Sequence, residues 1–474
     1  MKHDFSIWQT LWSVIYALLV VSAILVVLTK NKNPIKTIAW LTILICVPMV
    51  GLICYYLFGR DTRKQRFVNK KYYAKIRHLN FNELLQADHP DMHPNYNNLV
   101  SLLKSNNQSP ILRGSKVQIL TTGSKMFESM LTDIDNAKHH IHIEFFIFKN
   151  DLTGRLVKIV LMKKALQGVK VRFIYDNVAN WRVARKFYYE MEEAGVQVAS
   201  LMETRFPLIQ SSKFNYRNHR KVVVIDGAVG YVGGMNVSDD YSSNPNWEDR
   251  QLRVEGRGVH GLQVSFMIDW LSAGKKHWTD MERYYPNLPV YTQNLMQIVT
   301  SGPFSEYSNL LQATVSIVMS AKKYIYLQTP YFLPTETLFE ALQIACLSGV
   351  DVRLMVSEKS DSSYVDPASH SYYEALLKSG MKIYALQNRF IHAKTIVADD
   401  YLSVIGSCNL DFRSFETNFE INCYMYDPEI AAKNKAIFFE NLKQCKEIYY
   451  KKWIKRSKWK QLWESVTRLF APLM

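Results

Sequence analysis

The feature that most constrains the fold is an internal duplication, because the same order of elements occurs twice in the chain. The first copy contains IHIEFFIF, a helix ending in ALQG, VKVRFIYD and, later, NHRKVVVIDGAVGYVGGMN. The second contains IYLQTPYF, ALQIACLSG, VDVRLMVS and FIHAKTIVADDYLSVIGSCN. Strands that alternate with helices predict right-handed crossovers and largely parallel sheets covered by helices on both faces. We therefore expect two tandem α/β/α sandwich repeats with pseudo-two-fold symmetry, over residues 114–290 and 291–450.

Two uncharged apolar runs precede the repeats, at residues 7–29 and 37–58. A helix needs about 20 such residues to cross the hydrocarbon core of a bilayer. Two runs stand back to back and no small-residue cleavage site follows the first, which argues against a signal peptide or a buried core helix. We expect residues 1–60 to form a two-helix transmembrane hairpin.

A basic cluster follows the second run and sets the expected orientation. Residues 60–77 carry eight Lys or Arg and one acid, Asp61, whereas the short outer turn carries three Lys. Eight bases outweigh three, so the positive-inside rule predicts a multi-pass cell-membrane protein with its large domain in the cytoplasm. We expect residues 61–113 to be a basic juxtamembrane segment and linker. The net charge of +16 also predicts an anionic partner such as an anionic membrane surface.

A short polar motif, HxKx4D, lies near the end of each repeat. Its residues are His219, Lys221 and Asp226 in the first repeat, and His392, Lys394 and Asp399 in the second. One copy could be accidental or simply a solvated strand face, but two copies at corresponding places argue against accident. Residues i and i+2 of a strand project to the same side, so each His and its Lys should project together. We expect the two aspartates to brace the strand and its turn.

A turn that contains small residues and ends in asparagine follows each motif. The first turn includes Gly234 and Asn236, and the second includes Ser407 and Asn409. A small residue lets the backbone approach a phosphate, and the asparagine amide supplies a donor to a phosphoryl oxygen. We expect these four residues to bind phosphate.

Two carboxylates farther along the chain are candidates for orienting the histidines. They are Asp249 in WEDR and Glu420 in NFE. A carboxylate can hold an imidazole in one tautomer and raise its pKa. Ordinary salt bridges, for example to Arg250 or Arg253, are the alternative.

These residues resemble the phospholipase D superfamily and, within it, the bacterial cardiolipin synthases. The resemblance covers nearly the whole chain, including the apolar runs, NPIKTIAW, FGRDTRKQR, both HxKx4D motifs, WEDRQLRVEG and RSFETNFEIN. It implies phospholipase D-like repeats and a catalytic site made of the two motifs. It also implies the phospholipids phosphatidylglycerol and cardiolipin as substrate and product.

The expected reaction is phosphatidyl transfer from one phosphatidylglycerol to another, giving cardiolipin and glycerol through a covalent phosphohistidine. A neutral imidazole attacks phosphorus, and the other imidazole, which is protonated, gives its proton to the leaving oxygen. The lysines and asparagines hold the phosphoryl oxygens. The resemblance favours His219 as nucleophile and His392 as acid and base, with the reverse left open by the near symmetry. No metal or cofactor is expected, because cationic side chains fill that electrostatic role.

Residues 451–474 are expected to form a basic amphipathic helix. Its tryptophans and other apolar residues recur at helical spacing among seven lysines and arginines. Such a helix either lies in an anionic membrane interface or packs on the catalytic core.

Three other functions remain open. A phospholipase D-type hydrolase would resolve the same intermediate with water, and a related transferase would use another alcohol or phospholipid acceptor. An inactive membrane scaffold is the third, although two intact motifs argue against it. A nucleic-acid phosphodiesterase is disfavoured by the apolar runs, so no nucleic acid is expected as a partner.

Overall fold

The computed structural model describes residues 2–30, 34–55, 92–201, 216–275 and 281–473. Its residues up to 55 belong to one compact unit, and those from 92 onward belong to a second. The predicted basic cluster at residues 60–77 and part of the predicted outer turn, residues 31–33, lie outside the described residues.

The described part of the N-terminal unit is helical, with helices Lys2–Lys30, Pro34–Cys46 and Pro48–Cys54. Within the first, Trp8–Thr29 is the one described segment that is long and apolar enough to cross a bilayer. The second apolar run is divided, because Val47 leaves the helical conformation (φ −138°, ψ 68°) and Pro48 starts a new helix. Proline cannot continue a helix from its interior, since it lacks the backbone N–H.

The first half of the large unit has ten described strands. In chain order they are β1 Leu112–Arg113, β2 Lys116–Leu120, β3 His140–Phe145, β4 Lys170–Asp176, β5 Gln197–Leu201, β6 Arg217–Asn218, β7 Lys221–Ile225, β8 Val229–Gly233, β9 Trp247–Glu248 and β10 Gln251–Glu255. Its described α-helices are Asn97–Asn107, Gly123–Asp135, Leu152–Leu166, Arg185–Glu193, Asp239–Ser242 and Val259–Ser272. Seven strands form one sheet in the order β2-β10-β8-β7-β3-β4-β5.

The second half repeats this plan. Its described strands are β11 Leu295–Ser301, β12 Tyr324–Gln328, β13 Phe332–Leu333, β14 Asp351–Ser357, β15 Lys382–Leu386, β16 Phe390–Ile391, β17 Thr395–Ala398, β18 Leu402–Gly406, β19 Leu410–Asp411, β20 Asn418–Tyr426 and β21 Cys445–Ile448. Its described α-helices are Asn309–Ser320, Glu336–Leu347, Val365–Lys378, Phe412–Glu416, Pro428–Leu442, Tyr450–Trp453 and Lys458–Arg468. The main sheet runs β1-β11-β20-β18-β17-β12-β14-β15-β21.

The tandem α/β repeat is confirmed, but the expectation of largely parallel sheets is wrong. In the first sheet β3, β4 and β5 are parallel, while β7, β8, β10 and β2 pair antiparallel. The parallel strands are joined by crossover helices, whereas β7 and β8 are joined by a tight turn, which forces them to run in opposite directions. At that turn Asp226 and Gly227 have φ of 53° and 67°. The second sheet repeats the parallel set with β12, β14 and β15.

A shared core joins the two halves. Buried residues of the first sheet, such as Val222 and Leu252, lie in one cluster with Ile405 and Ile421 of the second. Two short pairings also cross between the halves, because β6 pairs with the start of β20 and β9 pairs with β16. These reciprocal pairings place the beginning of each HxKx4D motif against a strand of the other half.

Candidate active site

His219 follows directly after β6 and contacts the second half of the chain. Its backbone N–H donates to the carbonyl of Phe419 at 3.0 Å. The next residue, Glu420, is fully buried, and its Oε1 and Oε2 lie 2.9 and 3.0 Å from Nδ1 of His219. A carboxylate of the second half therefore holds the imidazole of the first.

His392 is held in the reciprocal way. Its backbone N–H donates to the carbonyl of Glu248 at 2.7 Å, and its Nδ1 lies 2.6 Å from Oδ2 of Asp249. A carboxylate at Nδ1 favours the tautomer with hydrogen on that nitrogen and leaves Nε2 as the lone-pair nitrogen. The alternative salt bridges do not involve Asp249, since the Arg250 guanidinium pairs with Glu248 and Arg253 pairs with Asp133.

Burial dominates the protonation of both imidazoles. It lowers the pKa of His219 to about 4, even though Glu420 acts in the opposite direction. It lowers the pKa of His392 to about 3, assisted by Lys394 and opposed by Asp249. The carboxylates thus raise the pKa of each histidine, as expected, but by less than burial lowers it. Both imidazoles are neutral near pH 7 in this state of the protein.

The two motif lysines are buried, and each affects the pKa of the histidine in the other motif. The ammonium group of Lys221 donates to the carbonyl of His219 at 2.6 Å, and that of Lys394 donates to the carbonyl of His392. Lys394 also lowers the pKa of His219, and Lys221 lowers that of His392. Burial lowers the pKa of Lys394 itself to about 8. The two motifs therefore share one electrostatic environment.

The two turns after the motifs support the carboxylates differently. The Ser407 hydroxyl donates to Glu420 and accepts from the backbone N–H of Ile421 at 3.0 Å. At the corresponding position of the first half, a Cβ on Gly234 would lie 2.1 Å from Oδ1 of Asp249. A side chain is therefore excluded beside Asp249, whereas a hydroxyl fixes Glu420.

The two asparagines also differ in their contacts. Asn236 donates from Nδ2 to the Tyr241 hydroxyl at 2.6 Å, and its Oδ1 accepts from the backbone of Ile147 at 3.2 Å. Asn409 is buried, and its Oδ1 has no hydrogen-bond partner among the described residues.

The motif aspartates lie at the far ends of their strands from the histidines. Asp226 follows β7 and accepts three backbone N–H bonds, each of 2.8 Å, from Lys138, His139 and His140. Asp399 accepts the equivalent bonds at the start of β12, from the backbone N–H groups of Lys322, Lys323 and Tyr324. Each aspartate thus ties the turn after its motif strand, β7 or β17, to the beginning of the strand paired with it, β3 or β12.

Several residues around the site did not stand out in the sequence. The Tyr241 hydroxyl lies 3.5 Å from Nδ1 of His392, and the ring of Phe146 lies 4.9 Å from that of His219. Arg220 is buried, pairs with Asp269 and donates to the carbonyls of Glu420 and Ser301. The only hint of Arg220 in the sequence is that the first motif has arginine between its His and Lys, where the second motif has alanine.

The fold and the site together define a duplicated α/β domain of the phospholipase D type. A family model described as "Cardiolipin synthase, PLD-like domain" matches residues 130–259 and 315–442, and one described as "Phospholipase_D-nuclease N-terminal" matches residues 17–60. The chain belongs to the cardiolipin synthase family of the phospholipase D superfamily, as its resemblance implied.

Individual relatives agree with this assignment. The chain is 37% identical to the major cardiolipin synthase ClsA of Bacillus subtilis (strain 168), over 99% of this chain and 100% of that protein. It is 36% identical to a cardiolipin synthase of Geobacillus kaustophilus (strain HTA426), over 98% of this chain and 94% of that protein. The solved structure of phosphatidylserine synthase from Haemophilus influenzae Rd KW20 shares the fold, with a TM-score of 0.61 and 14% identity, covering 80% of this chain and 98% of that one.

Proposed function

We propose that this protein is a cardiolipin synthase, a phosphatidyltransferase that joins two phosphatidylglycerol molecules and releases glycerol. The observation that carries the proposal is the pair of buried imidazoles, each hydrogen-bonded at Nδ1 to a carboxylate from the other half of the chain. Two such imidazoles supply the nucleophile and the proton donor that displacement at a phosphodiester needs. The curated relatives that match along nearly their whole length point to the same reaction.

In the first step, Nε2 of His219 attacks the phosphorus of one phosphatidylglycerol. A bond forms between nitrogen and phosphorus, the bond from phosphorus to the glycerol oxygen breaks, and His392 in its protonated form gives that oxygen a proton. The resemblance to the family is the reason for giving the nucleophilic role to His219. Support also comes from Ser407, which fixes Glu420 and with it the direction of the His219 ring.

In the second step, the headgroup hydroxyl of another phosphatidylglycerol attacks the phosphohistidine. His392, now neutral, accepts the proton of that hydroxyl, and the bond between phosphorus and nitrogen breaks to give cardiolipin. One phosphodiester replaces another, so the exchange needs no nucleotide and is reversible.

The charge of the substrate accounts for the protonated state of His392. Burial and the nearby ammonium groups keep both imidazoles neutral in the protein alone. An anionic phosphodiester beside Lys221 and Lys394 offsets their charge and favours a proton on an imidazole. The same ammonium groups, with Asn236 and Asn409, are proposed to hold the non-bridging oxygens as negative charge builds up.

Labelled phosphatidylglycerol in mixed micelles tests this function. Cardiolipin and glycerol in equal amounts are the expected products. Phosphatidic acid as the main product would identify a hydrolase instead, and an absence of turnover by folded protein would favour the scaffold. Competition between phosphatidylglycerol and added phosphatidylethanolamine, or an added polyol, would show which acceptor the enzyme uses.

We further propose that residues 1–60 anchor the protein as a two-helix hairpin with the catalytic domain in the cytoplasm. The spanning-length helix Trp8–Thr29 and the basic sequence at residues 60–77 support this topology. Single cysteines in place of Lys32 and Glu440 test it by labelling of intact cells with an impermeant maleimide, with the unsubstituted chain as background. Position 32 should react and position 440 should not; the opposite pattern would reverse the orientation.

A further inference from the structure

The C-terminal helix Lys458–Arg468 lies on the second half with its polar side inward. Glu464 and Thr467 are buried, and Glu464 forms an ion pair of 2.8 Å with Arg456. The segment after the helix is also fixed, because Ala471 is buried in a small cluster with Leu333 and Ala368. This polarity is the reverse of that of an ordinary surface helix, which buries its apolar side.

The large apolar residues of the helix and of residues 469–470 consequently face outward. Five of them are 52–80% exposed, and we call them the C-terminal apolar face: Trp459, Leu462, Trp463, Leu469 and Phe470. Single exposed apolar residues are common on protein surfaces, but a contiguous set of this size marks an interaction surface. Since the helix is already packed through Glu464 and Thr467, this face is open to an external partner.

The charges around the face indicate what that partner is. Between residues 451 and 473 the sequence has one acid, Glu464, and it is buried in the ion pair with Arg456. The exposed bases of the same segment are Lys451, Lys452, Lys455, Lys458, Lys460 and Arg468. A second copy of the chain would set these bases against the same bases, because a two-fold interface pairs like patches. An anionic surface with an apolar interior fits both properties.

We propose that the C-terminal apolar face docks into the interfacial layer of an anionic phospholipid bilayer. Tryptophan rings suit this layer, since they are apolar with one polar N–H, and flanking lysines contact the anionic headgroups. The face is connected to the site through Ala471, which packs against Leu333 of β13. Strand β13 pairs with β19, which begins directly after Asn409. The contact would hold the catalytic domain at the lipid surface independently of the N-terminal helix.

Tryptophan quenching in proteoliposomes tests the proposal with the full chain. The emission of Trp459 and Trp463 is obtained as the difference between the unsubstituted protein and the conservative variant Trp459→Phe/Trp463→Phe. In vesicles of phosphatidylglycerol that carry brominated acyl chains, roughly half or more of this difference emission should be quenched. The buried Trp270, replaced in Trp270→Phe, supplies the control difference that should stay unquenched.

A second pair of variants tests the charge requirement. The variant Lys458→Gln/Lys460→Gln should reduce the quenching by roughly two-fold or more, because it weakens the attraction to anionic headgroups. Salt at about 0.5 M should reduce the quenching by a similar factor, because it screens the same charges. The control variant Lys433→Gln/Lys443→Gln removes the same charge from helix Pro428–Leu442 and from the position directly after it, and it should have no effect. Turnover is not needed, so an inactive protein that is quenched leaves this proposal standing.

Two results would overturn the proposal. One is a difference emission that brominated phosphatidylglycerol does not quench in folded protein. The other is disulfide cross-linking between chains through Trp463→Cys in vesicles, which would show that a second copy covers the face.

Discussion

Glu420 of the second half holds the imidazole of His219 of the first half, with both carboxylate oxygens within 3.0 Å of Nδ1. Through this contact the motif of the first half depends on a carboxylate of the second half. We expect Glu420→Gln to lower kcat by on the order of 10²-fold or more, because the amide no longer fixes the tautomer or stabilises an imidazolium. The exposed Glu440, changed to Gln, is the matched control and should keep full activity. Normal turnover by Glu420→Gln would contradict the orienting role.

Ser407 is predicted to act through Glu420 rather than on the phosphate. Its hydroxyl donates to the Glu420 carboxylate, so Ser407→Ala should lower kcat by about 10-fold with little change in KM. The control is Ser369→Ala, which removes another buried hydroxyl, one bonded to Tyr373 at 3.1 Å. A raised KM with unchanged kcat would instead show that Ser407 binds the phosphate, as the sequence suggested.

Asp226 is predicted to serve stability. Asp226→Asn keeps the residue's size but weakens the three backbone bonds that tie β7 to β3, at a cost of about 1–2 kcal/mol. The melting temperature measured in detergent should fall by roughly 1–3 °C. The rate per folded molecule should stay within about two-fold of normal. A large loss of kcat without a shift in melting temperature would mean that Asp226 belongs to the reacting groups.

Lys394 sets the expected alkaline limit of activity. Burial lowers its pKa to about 8, so its ammonium charge is present below that pH and is lost as the pH rises through it. If the charge holds the phosphoryl oxygens, kcat/KM should decline above pH 8. Lys394→Arg should move this decline to higher pH, while lowering the maximum rate, because a guanidinium stays charged. A rate that rises steadily from pH 5 to 9 would contradict this assignment.

The duplication and its motifs could be read from the sequence because they depend on local patterns. The spacing of His219, Lys221 and Asp226 recurs at His392, Lys394 and Asp399, and β strands alternate with helices around both. The mixed direction of the sheets was missed for a physical reason. Helices between β3, β4 and β5 suggested parallel strands throughout, but the tight turn at Asp226 reverses the chain between β7 and β8.

The partners within the site could not be read in the same way. Asp249 and Glu420 were recognised as candidates, yet their pairing with His392 and His219 depends on two short strand pairings between the halves. The pKa of each histidine depends on burial, which outweighs the neighbouring carboxylate. Tyr241 and Arg220 likewise reach the site only through tertiary packing.

The most direct test of the proposed mechanism is mass spectrometry of enzyme quenched during turnover of phosphatidylglycerol in cold denaturant at mildly alkaline pH, where the bond between phosphorus and histidine nitrogen is preserved. A phosphatidyl adduct on a peptide that contains His219, present in the unsubstituted protein and absent from His219→Asn, is the predicted result. An adduct on His392 alone would exchange the two roles. No adduct on either histidine in an active, rapidly quenched enzyme would contradict covalent transfer through this site.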